Sequence, residues 1–196
     1  MYRYSDRVKA DQAFHLAFGR AMAKWATLEQ RLFFWFAQLS GMSHDMSRAV
    51  FYSSKNFAGR ADMVEAVTDI ADIPDDVRKF LKAAIKKARQ FNSFRNNLAH
   101  GEPEFDSNPK SPNYLQTVLV EGRHNGGDMA TGITVETLQD ATANIGELAR
   151  LVVDPLMFVQ GTFTDADSSP DRCREQIQAL PHAADSKGPT NHETKG

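Results

Sequence analysis

Cysteine is almost missing: Cys173 stands alone among 196 residues, so no disulfide framework can form within the chain, which suits a reducing compartment. Long apolar runs are missing too, and without about 18 consecutive apolar residues the sequence offers no membrane span. The opening stretch MYRYSDRVKADQ has neither the apolar core nor the small-residue cleavage site of a secretory signal, so the expectation is a cytoplasmic protein with no membrane partner. Net charge is scarce at -2, which leaves any electrostatic argument to be made locally. One local shortage stands out. Residues 78 to 95 contain no acid, yet they hold Arg78, Lys79, Lys82, Lys86, Lys87, Arg89 and Arg95.

What is present reads as helix. An apolar content of 41% and a charged content of 24% fit an ordinary folded chain, long enough for one domain and a tail. From residue 11 to residue 39 large apolar side chains fall in steps of three and four, at Phe14, Phe18, Met22, Trp25, Leu28, Leu32, Phe36 and Leu39. Phe33, Phe34 and Trp35 widen that stripe, which suggests contact with several neighbours, a second subunit among them. Ser40-Gly41 ends this helix. Shorter helices are expected over residues 45 to 52 and 58 to 71, the latter with Met63, Val64, Val67 and Ile70 inward. Pro74 opens a fourth, with Asp75 and Asp76 at its positive end and Val77, Leu81, Ala84, Ala88, Phe91, Arg95 and Leu98 as its inward stripe. Gly101 is placed to stop that helix in a left-handed cap.

Beyond Gly101, three prolines at 103, 109 and 112 interrupt helix. Residues 114 to 121 alternate like a strand and "GRHNGGDM" reads as a turn, predicting a β-hairpin over about residues 113 to 134 with a return strand near 129 to 133. Thr134 is a suitable N-cap for a last helix carrying Val135, Leu138, Ile145, Leu148 and Val152 inward and a kink at Pro155. Residues 164 to 196 are sparse in apolar side chains and are expected to form a disordered tail, with Cys173 outside the core. The expected fold is therefore mainly all-α, an up-and-down bundle over residues 1 to 163 with the hairpin inserted before the last helix.

The functional question sits in "FRNNLAHGEPEF", residues 94 to 105. Asparagine is a poor helix former, so two of them in the last turn need a reason. Arg95, Asn96 and His100 supply one, because arginine is a permanent planar cation suited to phosphate oxygens and histidine, with an ordinary pKa near 6.5, serves as acid or base at neutral pH. Cleaving RNA through its own 2′-hydroxyl requires a base, an acid and positive charge against the phosphorane. One histidine per chain is one short, and a two-fold dimer would provide the second. No metal or cofactor enters this scheme, and no cluster of His, Cys, Asp and Glu has ligand spacing. Lys55, Arg60, Arg89 and Asn97 are the further candidates for holding substrate.

"RNNLAH", residues 95 to 100, resembles the Arg-Asn-x-x-x-His signature of the HEPN superfamily, whose members are helical bundles. The resemblance implies a homodimeric, metal-independent endoribonuclease of toxin-antitoxin or phage-defence type, with Arg95 and His100 catalytic and Asn96 assisting. It implies RNA ends bearing 2′,3′-cyclic phosphate and 5′-hydroxyl. Toxins paired with a nucleotidyltransferase antitoxin carry tyrosine two residues after the histidine. Glu102 stands there instead, so that pairing and its tyrosine modification are not expected, and a protein antitoxin stays open as a partner. The competing expectation is a catalytically inactive dimer that binds RNA or a nucleotide or serves as a scaffold. A purely structural account also exists, since asparagines before a glycine are ordinary helix stops and cations suit a helix C-terminus. Arg95 on an apolar stripe is what that account leaves unexplained.

Overall fold

The computed structural model describes residues 3–121, 128–159 and 169–181. It is mainly helical, with one small sheet. The helices are α1 (Tyr4–Ser40), α2 (His44–Ser53), α3 (Phe57–Ile70), α4 (Asp75–His100), α5 (Val135–Val159) and α6 (Pro170–Ala179). Strands β1 (Gly101–Phe105) and β2 (Thr117–Glu121) lie between α4 and α5. No helix among the described residues is long and apolar enough to cross a membrane.

The long first helix packs most extensively on α5, and its periodic apolar residues are the reason. Phe14, Trp25, Leu28, Leu32 and Phe36 are buried, and Gly41 closes the helix at φ 66°, a left-handed cap. The extra aromatic width is used within the chain: Phe33 meets Phe51 and Tyr52 of α2, and Trp35 faces Phe80 of α4. Trp35 also donates its indole N–H to the Val152 carbonyl at 2.7 Å. Pro155 follows in the same helix and has no N–H to offer the Leu151 carbonyl beside it.

Two apolar clusters result. The larger joins the C-terminal half of α1 to α2, α3, most of α4, α5 and α6. The smaller contains Phe14, Ala17 and Ala21 of α1, Phe94 and Leu98 of α4, Leu119 of β2, and Leu138 and Ala141 of α5. It lies under the last turns of α4, so the RNNLAH segment has a packed floor.

The hairpin forms with a different partner from the expected one. β2 pairs antiparallel with β1, Gly101 opposite Glu121 and Phe105 opposite Thr117, whereas Met129–Thr131 is a short 3₁₀ turn. Of the expected return strand, one bridge survives, with Leu119 and Ile133 exchanging backbone hydrogen bonds at 2.9 Å. That bridge explains how Pro103 enters a strand. Leu119 turns its N–H and C=O towards Ile133, so the Leu119–Pro103 pair is a non-hydrogen-bonded one and the missing proline N–H costs nothing. Gly101 does not take a left-handed cap either; its φ is -81° and it passes straight into β1. Glycine is needed there for closeness, because a Cβ would come within 2.5 Å of the Leu119 side chain. The strand expected from residue 114 starts at Thr117, since turns at 111 to 116 occupy the preceding backbone and Leu115 sits at φ 62°.

Three further expectations are corrected. Ile70, the last residue of α3, is 86% exposed, because the buried side of that helix is Phe57, Ala61, Val64 and Thr68 and Ile70 stands about 150° round the axis from them. Residues 170–179 of the expected tail form α6, capped by Ser169, whose hydroxyl accepts from Arg172 N–H. Cys173 is fully buried and packs with Ile177 in the larger core. Residues 182–196 lie outside the described residues, as does the expected turn over 122–127.

Arg78 shows how a cation of α4 can be structural. Its guanidinium donates to the carbonyls of Thr68, Asp69 and Ala71, the orphan acceptors at the end of α3, which has no basic residue in its own last turn. Replacing Arg78 with Met should cost about 2 kcal/mol, as expected for losing charge-assisted bonds to partly buried acceptors. Urea unfolding checks this, and a loss below about 0.5 kcal/mol would contradict the capping role.

Candidate functional site

The rotation of α4 is set by its buried residues, among them Val77, Leu81, Ala84, Ala88, Phe91 and Leu98. At about 100° per residue, Arg95 falls near the middle of that buried arc while His100 lies about 140° away around the axis. Arg95 is accordingly half-buried, and Asn96, Asn97 and His100 are exposed. A five-residue spacing therefore does not by itself bring guanidinium and imidazole together. The long arginine side chain reaches part of the way, to Asn96. Its Nε is buried without a hydrogen-bond partner, and its Nη1 donates to Asn96 Oδ1 at 3.4 Å. Asn96 is four residues before His100, so the two side chains stand on one face, one turn apart. Guanidinium head, amide and imidazole thus form a strip along the end of α4.

The strip is held firmly from below and beyond. Phe94 and Leu98 are buried in the smaller core, and β1 leaves the helix without an intervening loop and is tied to β2 across five paired residues. Neither Arg95 nor His100 is sealed from solvent.

Of the residues nominated to hold substrate, Asn97 is beside the strip and exposed. Lys55 is exposed in the turn between α2 and α3. α3 runs antiparallel to α4: Asp69 pairs with Lys82 at 2.6 Å, and Asp62, seven residues earlier, pairs with Arg89, seven residues later, at 2.7 Å. Lys55, just before the start of α3, therefore lies towards the C-terminal end of α4. Arg60 is committed elsewhere. It pairs with Glu29 at 2.9 Å, donates to the Ser54 carbonyl and lies over the Tyr52 ring.

Arg89 is also engaged, bridging Asp62 and Glu65 at 2.7 and 2.9 Å. The Asp62 carboxylate, with help from Glu65 and against partial desolvation, raises its pKa further above the ordinary arginine value. It remains a cation at every working pH, with its charge answered locally. The acid-free segment is thus less bare in three dimensions than in sequence, since Asp62, Glu65 and Asp69 of α3 face it. Their spacing of three and four residues was a legible signal of one acidic face, and the sequence reading missed it. Lys87 was also nominated only as part of a charge run, yet it is 6% exposed and donates to the Leu180 carbonyl at 2.6 Å, tying α4 to the end of α6. Among the described residues no group of three or more His, Cys, Asp or Glu is disposed to hold a metal ion.

No protein-family model, no curated protein and no solved structure matches this chain. The site has to be judged on its own geometry.

A half-buried arginine whose Nε has no partner is a poor device for stability, because an unmet buried donor costs about 1–3 kcal/mol. Arg95→Met keeps the side chain's length and removes the donor. Its unfolding free energy should stay within about 0.5 kcal/mol of the parent or rise by about 1 kcal/mol. Chemical denaturation measures it, and a loss of more than about 2 kcal/mol would make Arg95 a structural residue.

Proposed function

We propose that this chain is a homodimeric endoribonuclease of the HEPN type, cleaving RNA by metal-independent transesterification. The observation that carries the reading is the Arg95 guanidinium, seated on a packed face with its Nε unmet and its head turned to Asn96, one turn from the exposed His100. An arginine kept on an apolar stripe without structural return is an arginine kept for a ligand.

The chemistry follows from those groups. The imidazole of one copy takes the proton from a ribose 2′-hydroxyl, and the resulting oxygen attacks the adjacent phosphorus. The guanidinium donates to the non-bridging oxygens as charge gathers on the phosphorane, and the Asn96 amide fixes the guanidinium's direction. The P–O5′ bond breaks, and the second copy's imidazole, in protonated form, gives its proton to the departing oxygen. The products are a 2′,3′-cyclic phosphate and a 5′-hydroxyl. A cytoplasmic toxin or phage-defence effector, restrained by a protein antitoxin, is the setting such an activity fits.

A second reading has its own observation. The His100 ring has no hydrogen-bond partner among the described residues to orient it, as befits a dimer that binds RNA without cutting it. Incubation of total RNA with the purified protein in excess EDTA separates the two readings. The parent protein should cleave, His100→Ala should be slower by about 10²–10⁴-fold, and Arg95→Ala by about 10²–10³-fold. Equal cleavage by all three proteins would expose a contaminant, and no cleavage by any would favour the idle RNA-binding dimer.

A further inference from the structure

A second feature of α4 is independent of the motif. Between α4 and α6 runs a groove of about 630 Å³, lined by Lys79, Lys82, Lys86, Lys87 and Arg174 together with Gln90. No acidic residue is among its lining residues. Three of the cations are anchored: Lys82 by Asp69, Lys87 by the Leu180 carbonyl, and Arg174 by Asp171 at 3.0 Å. Lys79 and Lys86 are exposed and have no partner among the described residues. Asp69 answers Lys82, which leaves Lys79 and Lys86 on either side of it as the groove's uncompensated charges. The Gln90 Oε1 atom is a further unmet group beside the groove, a buried acceptor with no donor.

Helical geometry connects this groove to the motif. Eighteen residues make five turns, so Asn97 stands directly above Lys79 and His100 directly above Lys82, about 27 Å further along. The His100 end of the strip thus lies in line with the rim of the groove at Lys82, while Asn96 and Arg95 are turned further round towards α3. We propose that the α4–α6 groove is an extended binding track for single-stranded RNA, gripping the sugar-phosphate backbone several nucleotides away from the bond presented to His100. A groove of about 630 Å³ between two helices is far smaller than one turn of duplex, so the occupant that fits along it is a single strand. Lysines are suited to this task, since they answer phosphate charge as points without reading bases. This proposal rests on the reading of the strip as an RNA site, but its test can fail separately.

The test uses the full chain and 2′-O-methyl oligonucleotides, which cannot be cleaved through the 2′ oxygen. Two lengths serve, about 4 and about 14 nucleotides, near the two ends of the range for one single-strand site. The parent protein should bind the longer strand at least tenfold more tightly. In Lys79→Gln/Lys86→Gln that gain should vanish while affinity for the short strand is kept. The slope of log affinity against log salt for the long strand should become shallower by about 1.4, the value for two lost phosphate contacts on a single strand. Both side chains are exposed, so the variant should fold, and an unchanged thermal transition verifies it. Equal affinity of the parent for both lengths, or an undiminished gain in the double variant, overturns the track. If the gain depends on the lysines while no RNA is ever cleaved, the nuclease reading falls and the track stands.

Discussion

Packing of the apolar face of α4 fixes the rotation of that helix, and every functional statement depends on that rotation. Val77, Phe80, Leu81, Ile85, Phe91 and Leu98 are each at most 3% exposed. Burying side chains of this size stabilises by about 1.5–3 kcal/mol each, whereas the exposed ion pairs along α3 are worth about 0–1 kcal/mol apiece. Packing therefore wins, and the ion pairs form where it leaves them. Arg95 is held near the core because its neighbours on the stripe belong there. His100, Asn97, Lys79, Lys82 and Lys86 face outward for the same reason.

The end of α4 is fastened more tightly than helix ends usually are. Leu98 and Phe94 reach into the smaller core, Gly101 lets the backbone pass against Leu119, and β1 is locked to β2, which is itself bridged to Ile133. Fraying of the last turn would move Asn96 and His100 relative to the guanidinium. A strand that starts at the residue after His100 suppresses that fraying, and positioned groups of this kind are what acid-base chemistry requires. The contrast with Arg78 and Lys87 is informative. Those cations donate to carbonyls that tie neighbouring elements together and so serve the fold, while Arg95 keeps an unmet Nε.

Much of this was legible in the order of residues. Apolar steps of three and four reported α1, α4 and α5, Thr134 marked the start of α5 by its bond to Thr137 N–H, and the stripe placed Arg95 on the packed side of its helix. The strand after α4 was hidden because Gly101 and Pro103 are ordinary helix stops, and only the long-range bridge from Leu119 to Ile133 makes a proline tolerable there. α6 was hidden by its polar composition, since Cys173, Ile177 and Leu180 are too few to stand out, although their spacing of four and three is helical. Missing α6 also concealed the groove it forms with α4. The charge run was overread for a related reason: sequence shows which charges are neighbours along one helix, but not that Asp62, Glu65 and Asp69 cross from another.

The central claim is that RNA supplies its own nucleophile to a strip of guanidinium, amide and imidazole at the end of α4. An oligoribonucleotide carrying one 2′-deoxy sugar at its principal cleavage position tests this directly, with the product ends of the all-ribose strand identified alongside. The account predicts that the deoxy linkage resists cleavage and that the ribose strand yields 2′,3′-cyclic phosphate and 5′-hydroxyl termini. Cleavage at the deoxy linkage, or products carrying a 5′-phosphate, would contradict it.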